Sequence, residues 1–450
     1  MSKKRHRVAS VGFISLGCPK NTVDSEKMLA DLVQAGFLIA ADPERADVVL
    51  VNTCGFIEPA KLESLEAVRE AIENKQKGQV KKVIVAGCLA QRMADQLLQE
   101  VEGIDAIVGL DQRDGIAQIV SESLQGTALQ VQVSHHPHAL ISDDSTRLLI
   151  GPPHRAYLRI SEGCNHRCTF CTIPSIRGLF RSKPHAQIME EARGLVQAGV
   201  VELNLVAQDT SFYGRDLKTQ DGLVTLLKQL ETIDELTWIR LLYLYPMGLT
   251  DLLVETIAQS EKVVPYMDIP LQHTHDRVLK DMRRPNTHES LYHLVERLRH
   301  AIPDLVLRTT FIVGFPGETE AEFQDLLDFV KWARFDALGC FPYFPEVGTS
   351  AAAMPNQIPD DIKQQRLEQL MLTQQKIAFA RNQARVGSEL TCLVEDLDSE
   401  GHAQGRFYGQ APEIDSVCLV QDCPAEPGSF LPCRVTGTQD YDLICRPIKP

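Results

Sequence analysis

The sequence predicts an α/β protein of three parts: an N-terminal parallel-sheet α/β domain, a central partial (βα)6 barrel and a C-terminal small β-barrel. The first two parts are predicted because apolar strand-like runs alternate with helical segments through most of the chain, which is the βαβ pattern of a parallel sheet. The third part is predicted by a C-terminal series of short β runs separated by glycine and proline. The predicted boundaries are 6–140, 150–380 and 381–450.

Composition bounds the class of protein. A chain of 450 residues, 44% of them hydrophobic, is long enough for two or three domains with sizeable cores. No apolar stretch approaches the roughly twenty residues of a membrane span, and Met1 to Arg7 lacks the apolar core of a signal peptide. We therefore expect a cytoplasmic protein with no membrane partner. The net charge of -14 argues against a surface that coats nucleic acid.

The N-terminal domain is predicted from three apolar runs and two helical patterns. The runs Val8 to Ile14, Val48 to Val51 and Val83 to Ala86 read as strands. Helix-like segments near 22–35 and 58–73 lie between them. This order predicts a parallel sheet.

A cysteine closely follows each of these three strands: Cys18, Cys54 and Cys88. The carboxyl ends of parallel strands lie along one edge of a sheet, so these cysteines are expected to meet in space. Three glycines next to these cysteines would let the backbone approach a bulky inorganic cluster bound by the thiols: Gly17, Gly55 and Gly87. The alternative is three buried free thiols.

The central domain begins near Gly151, after a polar stretch that holds the run Ser134-His-His-Pro-His138. That run could bind a metal, but a solvated linker fits better because no other ligand keeps regular spacing with it. About six βα units follow, fewer than the eight of a closed barrel. The predicted strands are Ala156 to Ile160, Val201 to Val206, Trp238 to Tyr243, Val264 to Ile269, Val306 to Val313 and Ala337 to Tyr343.

Three cysteines stand close together just past the first of these strands, in a Cys-x3-Cys-x2-Cys run. Cys164, Cys168 and Cys171 could wrap one iron-sulfur cube and ligate three of its four irons, which leaves one iron open to another ligand. The alternatives are three unrelated thiols or a zinc knuckle. His166 would be the fourth ligand of such a knuckle, but the loop would have to fold back on itself.

Polar groups and a glycine turn follow the later strands, where barrel enzymes keep their ligand contacts. Gln208 follows the second strand, Gln272 follows the fourth, and the turn Gly314-Phe-Pro-Gly317 follows the fifth. The pair His273-x-His275 could suggest a metal hydrolase, but no carboxylate-rich motif accompanies it.

A long amphipathic helix, Asp361 to Ala384, is expected to lead into the C-terminal barrel. The remaining cysteines keep no spacing that matches a known site, so they are interpreted as reduced core thiols. They are Cys340, Cys392, Cys418, Cys423, Cys433 and Cys445.

The Cys164 to Cys171 run resembles the signature of the radical S-adenosylmethionine (SAM) enzymes, and the whole chain, from about Val8 to about Ile444, resembles the methylthiotransferases among them. The last domain is similar to their TRAM domain. The resemblance implies two 4Fe-4S clusters, with SAM as co-substrate. Cys164, Cys168 and Cys171 would bind the SAM-cleaving cluster. The auxiliary, sulfur-handling cluster would be bound by Cys18, Cys54 and Cys88.

The resemblance also implies contacts with SAM. Phe170 matches the aromatic position that packs near the adenine, and the glycine turn matches turns that lie against the ribose. The predicted cofactor-binding residues are Phe170, Gln208, Gln272, Gly314 and Gly317. No catalytic side chain is expected, because the cluster and SAM generate the radical.

Within the family, three stretches resemble the RimO branch, which modifies the β-carbon of an aspartate in ribosomal protein S-twelve: Leu16 to Glu26, Cys171 to Gly178 and Ala411 to Asp415. Departures occur at Phe344 and Ser416, where that branch usually carries serine and glycine. The substrate would be free ribosomal protein S-twelve or the assembled small subunit, and an electron donor and a sulfur donor would be further partners. The rivals are a transfer-RNA adenosine methylthiotransferase and a non-catalytic iron-sulfur redox or scaffold protein.

Charge favours a protein substrate over RNA. Residues 381–450 hold six basic and eleven acidic residues, a net charge of -5. RNA binding gains most of its affinity from cations that neutralise phosphates. An acidic barrel would instead attract a basic ribosomal protein. RNA binding by the C-terminal domain is therefore not expected, although the acids could also form an ordinary solvated face.

Overall fold

A computed structural model describes residues 8–126, 128–134, 137, 141–219, 221–399 and 401–448. The chain divides into two compact units, and the polypeptide passes between them more than once. Unit 1 comprises Met1–Gly151, Tyr157–Arg167 and Cys171–Glu191. Unit 2 comprises Pro152–Ala156, Cys168–Phe170 and Ala192–Pro450. The three predicted domain boundaries stay a prediction.

The elements of the first part of the chain alternate between strand and helix. In chain order they are β1 (Ser10–Ser15), α1 (Pro19–Gln34), β2 (Leu38–Ile39), β3 (Val48–Thr53), α2 (Glu58–Gln76), β4 (Lys82–Gly87), α3 (Cys88–Glu100), β5 (Ala106–Val108), α4 (Ile116–Gln125), β6 (Gln130–Gln132), β7 (Arg155–Arg159), β8 (Ser161–Glu162), α5 (Ile173–Arg177), β9 (Arg181–Ser182) and α6 (His185–Gln197).

Unit 1 is built on a parallel sheet in the order β2-β1-β3-β4-β5-β6. Strand β3 is buried along its whole length because apolar clusters cover both faces of the sheet. A strand covered on both faces reads as a continuous apolar run, which explains the Val48 to Val51 signal. The short antiparallel pair β8 and β9 also belongs to this unit.

The remaining elements form the larger part of unit 2. They are β10 (Glu202–Val206), α7 (Gly222–Leu230), β11 (Trp238–Leu241), α8 (Asp251–Gln259), β12 (Val263–Asp268), α9 (Asp276–Asp281), α10 (His288–Ala301), β13 (Val306–Val313), α11 (Glu320–Ala333), β14 (Ala337–Pro342), α12 (Asp360–Arg385), β15 (Glu389–Leu397), β16 (Ala403–Arg406), β17 (Cys418–Val420), β18 (Phe430–Gln439) and β19 (Asp442–Pro447).

The second sheet has the order β7-β10-β11-β12-β13-β14, so each successive strand is added at the same edge. This is the predicted partial (βα)6 barrel, and its strands lie within two residues of the predicted ends. Strand β13 has the predicted ends. Thr319 and Glu322 form a capping box at the start of α11, which makes that boundary readable in the sequence.

The C-terminal strands close into a five-stranded barrel in the order β15-β16-β17-β19-β18, as predicted. Neighbouring strands are antiparallel except β17 and β19, which run parallel. Helix α12 leads into this barrel from the second sheet and fulfils the prediction of a connecting helix.

Three sequence-based predictions fall on residues outside the described ranges. They concern Met1 to Arg7, most of the histidine run at 134–138, and Glu400 and Lys449 of the charge count. Among the helices that the structure describes, none combines the length and apolarity needed to cross a membrane.

Candidate active site

The first cysteine trio lies at the carboxyl ends of three adjacent strands of unit 1. Cys18 follows β1 and precedes α1, Cys54 follows β3, and Cys88 begins α3 directly after β4. The order β1-β3-β4 places these ends side by side. A Cβ atom on Gly17 would lie 3.2 Å from the Cys54 sulfur, which shows how closely the segment before Cys18 approaches Cys54. The strand-end prediction therefore fits the observed topology.

The neighbouring glycines are required by packing between protein segments. A Cβ atom would lie 2.8 Å from the Cys54 Cβ at Gly17, 2.7 Å from the Cα of Leu89 at Gly55 and 2.6 Å from the carbonyl oxygen of Thr53 at Gly87. Gly17 and Gly87 also have positive φ angles, +94° and +96°. Packing and backbone conformation explain these glycines, and their predicted approach to a cluster stays a prediction.

Arg177 places a buried positive charge beside Cys88. Its guanidinium donates hydrogen bonds to the Cys88 sulfur at 3.3 Å, to Asn21 Oδ1 at 2.6 Å and to Asp24 Oδ2 at 3.0 Å. Cys88 packs with Leu110 and with Ile176, the residue before Arg177. A positive charge next to several thiols favours their ionised form.

The three thiols have different tendencies to ionise. Burial opposes ionisation of Cys18, but Lys20, Arg177 and two backbone N–H groups together hold the pKa of its thiol below the usual value. Burial raises the pKa of Cys54, and it raises the pKa of Cys88 to about 12 despite Arg177. Two of the thiols are therefore protonated at neutral pH until a metal replaces the protons.

A buried network of charges holds Arg177 in place. Arg177 reaches Glu162 Oε2 at 3.0 Å, and Asp24 Oδ1 accepts from Arg113 at 2.6 Å and from Arg159 at 2.5 Å. The charges alternate in sign, so each has a partner of the opposite sign despite its burial. Asp144 extends the network by binding Arg159 at 2.7 Å and Lys183 at 2.5 Å.

Sequence reasoning did not assign this network a role. Asp24 and Arg177 are 153 positions apart, and nothing in their spacing links them. One signal was present: Arg159 stands inside the apolar run predicted as the first barrel strand. A buried charge of that kind requires partners.

The second trio lies in the loop between β8 and α5. Cys164 is buried, whereas Cys168 and Cys171 are half-buried. Within unit 1, the Cys164 N–H donates to the Gly178 carbonyl at 3.1 Å, and the His166 N–H donates to the Cys164 sulfur at 3.4 Å. The Cys164 sulfur thus accepts a hydrogen bond from the backbone of its own loop.

The part of the loop that belongs to unit 2 is fixed by its backbone. The Thr169 N–H donates to the Met282 carbonyl at 3.2 Å, and its carbonyl accepts from the Ala351 N–H at 3.0 Å. The next residue, Phe170, is half-buried against an apolar cluster. That cluster comprises Val278, Met282, Phe315, Tyr343 and Ala351.

The two predicted glutamines lie at strand ends of unit 2. Gln208 is half-buried just past β10. Gln272 has φ +74°, and its backbone bridges β13 by donating to the Thr310 carbonyl and accepting from the Ile312 N–H, both at 2.8 Å. A left-handed conformation at a residue other than glycine is strained and is common at ligand sites.

The glycine turn is held from inside by Glu318. Its carboxylate accepts from the Gly314 N–H at 3.0 Å and the Phe315 N–H at 3.3 Å, and it binds Arg366 at 2.8 Å. A Cβ atom on Gly314 would overlap the Lys363 side chain. Glycine is thus required at position 314 because a larger residue would collide with Lys363 and because the backbone there has a φ of +71°. At Gly317 the requirement is the φ of +74°. The predicted contact of this turn with a nucleoside stays a prediction.

His273 and His275 contact each other and two carboxylates. The His275 N–H donates to His273 Nδ1 at 3.0 Å, and His273 Nε2 lies 3.6 Å from Glu318. His275 Nδ1 lies 3.3 Å from Glu322, a carboxylate that Arg277 also binds.

Three family descriptions match successive parts of the chain. Residues 10–109 match "Uncharacterized protein family UPF0004", residues 158–330 match the radical SAM superfamily, and residues 386–448 match the TRAM domain. The fold and these matches define a radical SAM protein with one added domain on each side.

Full-length relatives narrow this class. "Ribosomal protein uS12 methylthiotransferase RimO" of Syntrophomonas wolfei is 44% identical over 97% of this chain and 99% of its own length. The protein of the same name from Geobacter sulfurreducens is also 44% identical, over 96% of this chain and 97% of its own length. The one from Symbiobacterium thermophilum is 44% identical over 99% of this chain and 92% of its own length. The chain belongs to the RimO family of radical SAM methylthiotransferases. As a member it is a transferase that uses two 4Fe-4S clusters and SAM.

Solved structures share the fold. The radical SAM methyltransferase TsrM from Kitasatospora setae, with tryptophan and a SAM analogue bound, has a TM-score of 0.53 and 14% identity, over 74% of this chain and 72% of TsrM. The TsrM structure with cobalamin and a [4Fe-4S] cluster has the same TM-score and identity, over 77% of each chain.

Proposed function

We propose that this protein adds a methylthio group to the β-carbon of an aspartate in ribosomal protein uS12. The substrate is supported by relatives that are named uS12 methylthiotransferases and are 44% identical over nearly the whole chain. The observation that carries the chemistry is the placement of Cys18, Cys54 and Cys88 at adjacent strand ends beside a buried arginine.

The first trio is suited to an auxiliary 4Fe-4S cluster. Three thiolates ligate three irons and leave one iron open for exchangeable sulfur. A cluster held by three thiolates carries net negative charge, and the Arg177 cation beside Cys88 would offset it. The positive charges that already favour the Cys18 thiolate would help the first sulfur-metal bond to form.

The second trio is assigned to the cluster that binds SAM. The backbone N–H of His166 supports the Cys164 thiolate, and the hydrogen bonds of Thr169 hold the loop that carries Cys168. Phe170 would contact the adenine from the apolar cluster behind it. The remaining SAM contacts would be made by Gln208, Gln272, Gly314 and Gly317.

When bound, SAM and the clusters supply a nucleoside radical that removes hydrogen from an unactivated C–H bond, together with the methyl group and the sulfur that replace it. The side chains of the protein hold thiolates, orient the co-substrate and exclude water. The strained backbone of Gln272 and the turn fixed by Glu318 are suited to orientation.

The C-terminal barrel favours a protein substrate over RNA. Arg406 of the barrel binds Glu202, and Arg381 and Arg385 at the end of helix α12 bind Asp336, so these three basic residues are engaged by acids of unit 2. Exposed acids stand on its loops and strand ends. They include Asp396, Asp398, Asp422 and Glu426. Such a surface repels phosphates and attracts a basic ribosomal protein.

The proposal includes the location and the partners of the enzyme. We place the protein in the cytoplasm, where it would meet uS12 either free or in the small subunit. An electron donor and a sulfur donor are required, because the reaction consumes electrons and sulfur that the substrate does not supply.

The test compares two substrates and two variants. Reconstituted protein is incubated with uS12 or transfer RNA, and the products are weighed by mass spectrometry. We expect a methylthio adduct on uS12 alone. Cys54→Ala should still release deoxyadenosine from SAM but form no adduct, whereas the matched variant Cys423→Ala should behave as wild type. An adduct on transfer RNA, or an unchanged yield with Cys54→Ala, would contradict the proposal.

A further inference from the structure

The closed C-terminal barrel has an interior rich in cysteine. Four of its strands each contribute one cysteine whose side chain has no exposed surface. They are Cys392 on β15, Cys418 on β17, Cys433 on β18 and Cys445 on β19. The sequence gave no reason to group them, because they are separated by 12 to 26 positions and by several turns.

Strand register brings these cysteines together. Cys445 pairs with Val420 on one neighbouring strand and with Val435 on the other. Residues two apart on a strand share a face, so Cys418 and Cys433 flank Cys445 diagonally inside the barrel. The pairing of β17 with β19 is parallel and joins strands that are not consecutive, so no local sequence pattern encodes it.

The sulfur atoms converge to a degree that core packing alone does not require. The Sγ atoms of Cys392, Cys418 and Cys445 all lie within 4.8 Å of one another. Cys433 pairs with Leu390, so it is the diagonal neighbour of Cys392 across β15 and β18. Four sulfurs around tetrahedral zinc stand about 3.8 Å apart, given a Zn–S bond of about 2.3 Å. A shift of about 1 Å would therefore bring the three close sulfurs to coordination distance.

We propose that the barrel binds one structural zinc ion through Cys392, Cys418 and Cys445, with Cys433 as the fourth ligand. Soft thiolates in a dry, enclosed site select zinc over hard cations, and a site with four protein ligands leaves no position for a substrate. The ion would tie together four of the five strands of a barrel with a small core.

One neighbouring polar group contacts these sulfurs. The Cys418 thiol donates to the side-chain oxygen of Gln410, which is buried, at 3.2 Å. The same oxygen accepts from the Phe407 N–H at 3.1 Å, which fixes the orientation of the amide. The Cys418 thiol would release its proton when it binds zinc.

The experiment uses the full-length protein grown with added zinc, loaded with both iron-sulfur clusters and then treated with a chelator. Zinc and iron are measured by mass spectrometry, and zinc ligation is measured by X-ray absorption. We expect about one zinc per chain with about four sulfur neighbours near 2.3 Å. The double variant Cys392→Ser, Cys445→Ser should lose at least about nine-tenths of the zinc and keep its iron.

Controls separate this site from the cluster sites. Cys423→Ser changes a half-buried cysteine of the same domain and should keep the zinc. Cys54→Ala should lose iron but not zinc. Failure of the double variant to fold does not decide the outcome, because Cys433→Ser alone should lower the sulfur count around zinc from about four to about three. Zinc-free wild type, zinc bound through nitrogen or oxygen, copper in its place, or retention of zinc by the double variant would overturn the proposal.

Discussion

The two cysteine-rich regions, the sheet edge of unit 1 and the barrel interior of unit 2, use the same residue in opposite surroundings. Cys18, Cys54 and Cys88 stand after their strands, beside Arg177. Cys392 and Cys445 stand within theirs, enclosed on all sides. Strand ends can present an incomplete ligand set to a reactant, whereas mid-strand positions of a small barrel cannot. Position on the strand therefore fits the two proposals, a cluster site open to a reactant at the strand ends and a closed structural site inside the barrel.

The largest effect is expected when the cation beside the thiols of unit 1 is removed. Arg177→Met removes the guanidinium beside Cys88 and leaves Asp24 and Glu162 without one partner. Loss of one member of a buried charge network costs about 3 to 5 kcal/mol, so we expect auxiliary iron to fall by at least half and methylthio transfer by at least about 100-fold. Iron analysis and a product assay measure this. The exposed neighbour Arg181→Met is the control and should change neither quantity.

The next effect concerns the glycine turn of unit 2. Glu318→Gln weakens the bonds to the Gly314 and Phe315 amides and to Arg366. A loss of about 1.4 kcal/mol in orientation corresponds to about tenfold weaker SAM binding, which calorimetry can measure. Glu320→Gln is the matched control, because its carboxylate is 75% exposed and reaches Arg366 only at 3.5 Å. Unchanged affinity in Glu318→Gln would show that the turn does not support SAM.

A smaller effect tests the acidic surface of the barrel. Reversing Asp396 and Asp398 to lysine should raise KM for uS12 by about three- to tenfold at low salt, with little change in kcat. The difference should shrink as ionic strength rises, because exposed charges are screened. If deoxyadenosine release from SAM fell as much as the rate of methylthio transfer, the result would instead indicate damage at the active site.

The smallest effect concerns the attachment of the barrel within unit 2. Glu395 contacts His154, Arg155 and Arg406. Burial alone would raise the pKa of its carboxyl group, but these three partners lower the pKa to about 2. A lowered pKa means that the ionised carboxylate stabilises the folded state above about pH 4.3, and that this contribution is lost as pH falls toward 2.

The matching experiment is chemical unfolding across that pH range. Glu395→Gln should remove about 1 to 2 kcal/mol of the stability at pH 7 and flatten its decline between about pH 5 and pH 2. Glu389→Gln, whose partner Arg434 is exposed, should keep the wild-type profile. An identical profile for Glu395→Gln and wild type would show that the contact contributes nothing.

Sequence reasoning predicted what local pattern encodes. Strand β13 was predicted with its observed ends because an apolar run marks it. The rule that parallel strands end at one edge of a sheet was enough to predict that Cys18, Cys54 and Cys88 lie at the same edge. The ligand roles of both trios remain predictions that metal analysis must test.

Other features depend on pairing between distant segments. Arg177 meets Asn21 and Cys88 only after the chain has folded, and no spacing in the sequence announces it. The barrel cysteines were interpreted as separate core thiols because the parallel pairing of β17 with β19, which sets their register, has no local signal. Short elements such as β2 and α9 were missed because their runs are too brief to show a period.

The most direct measurement is the iron content and Mössbauer spectrum of the triple variant Cys164→Ala, Cys168→Ala, Cys171→Ala after anaerobic reconstitution. Of the two trios, this variant keeps only the one at the strand ends of unit 1, Cys18, Cys54 and Cys88. We predict about four irons per chain as one 4Fe-4S cluster, against about eight in the wild type. A triple variant that binds no cluster, or one that keeps all of the wild-type iron, would contradict the assignment of Cys18, Cys54 and Cys88 to a cluster of their own.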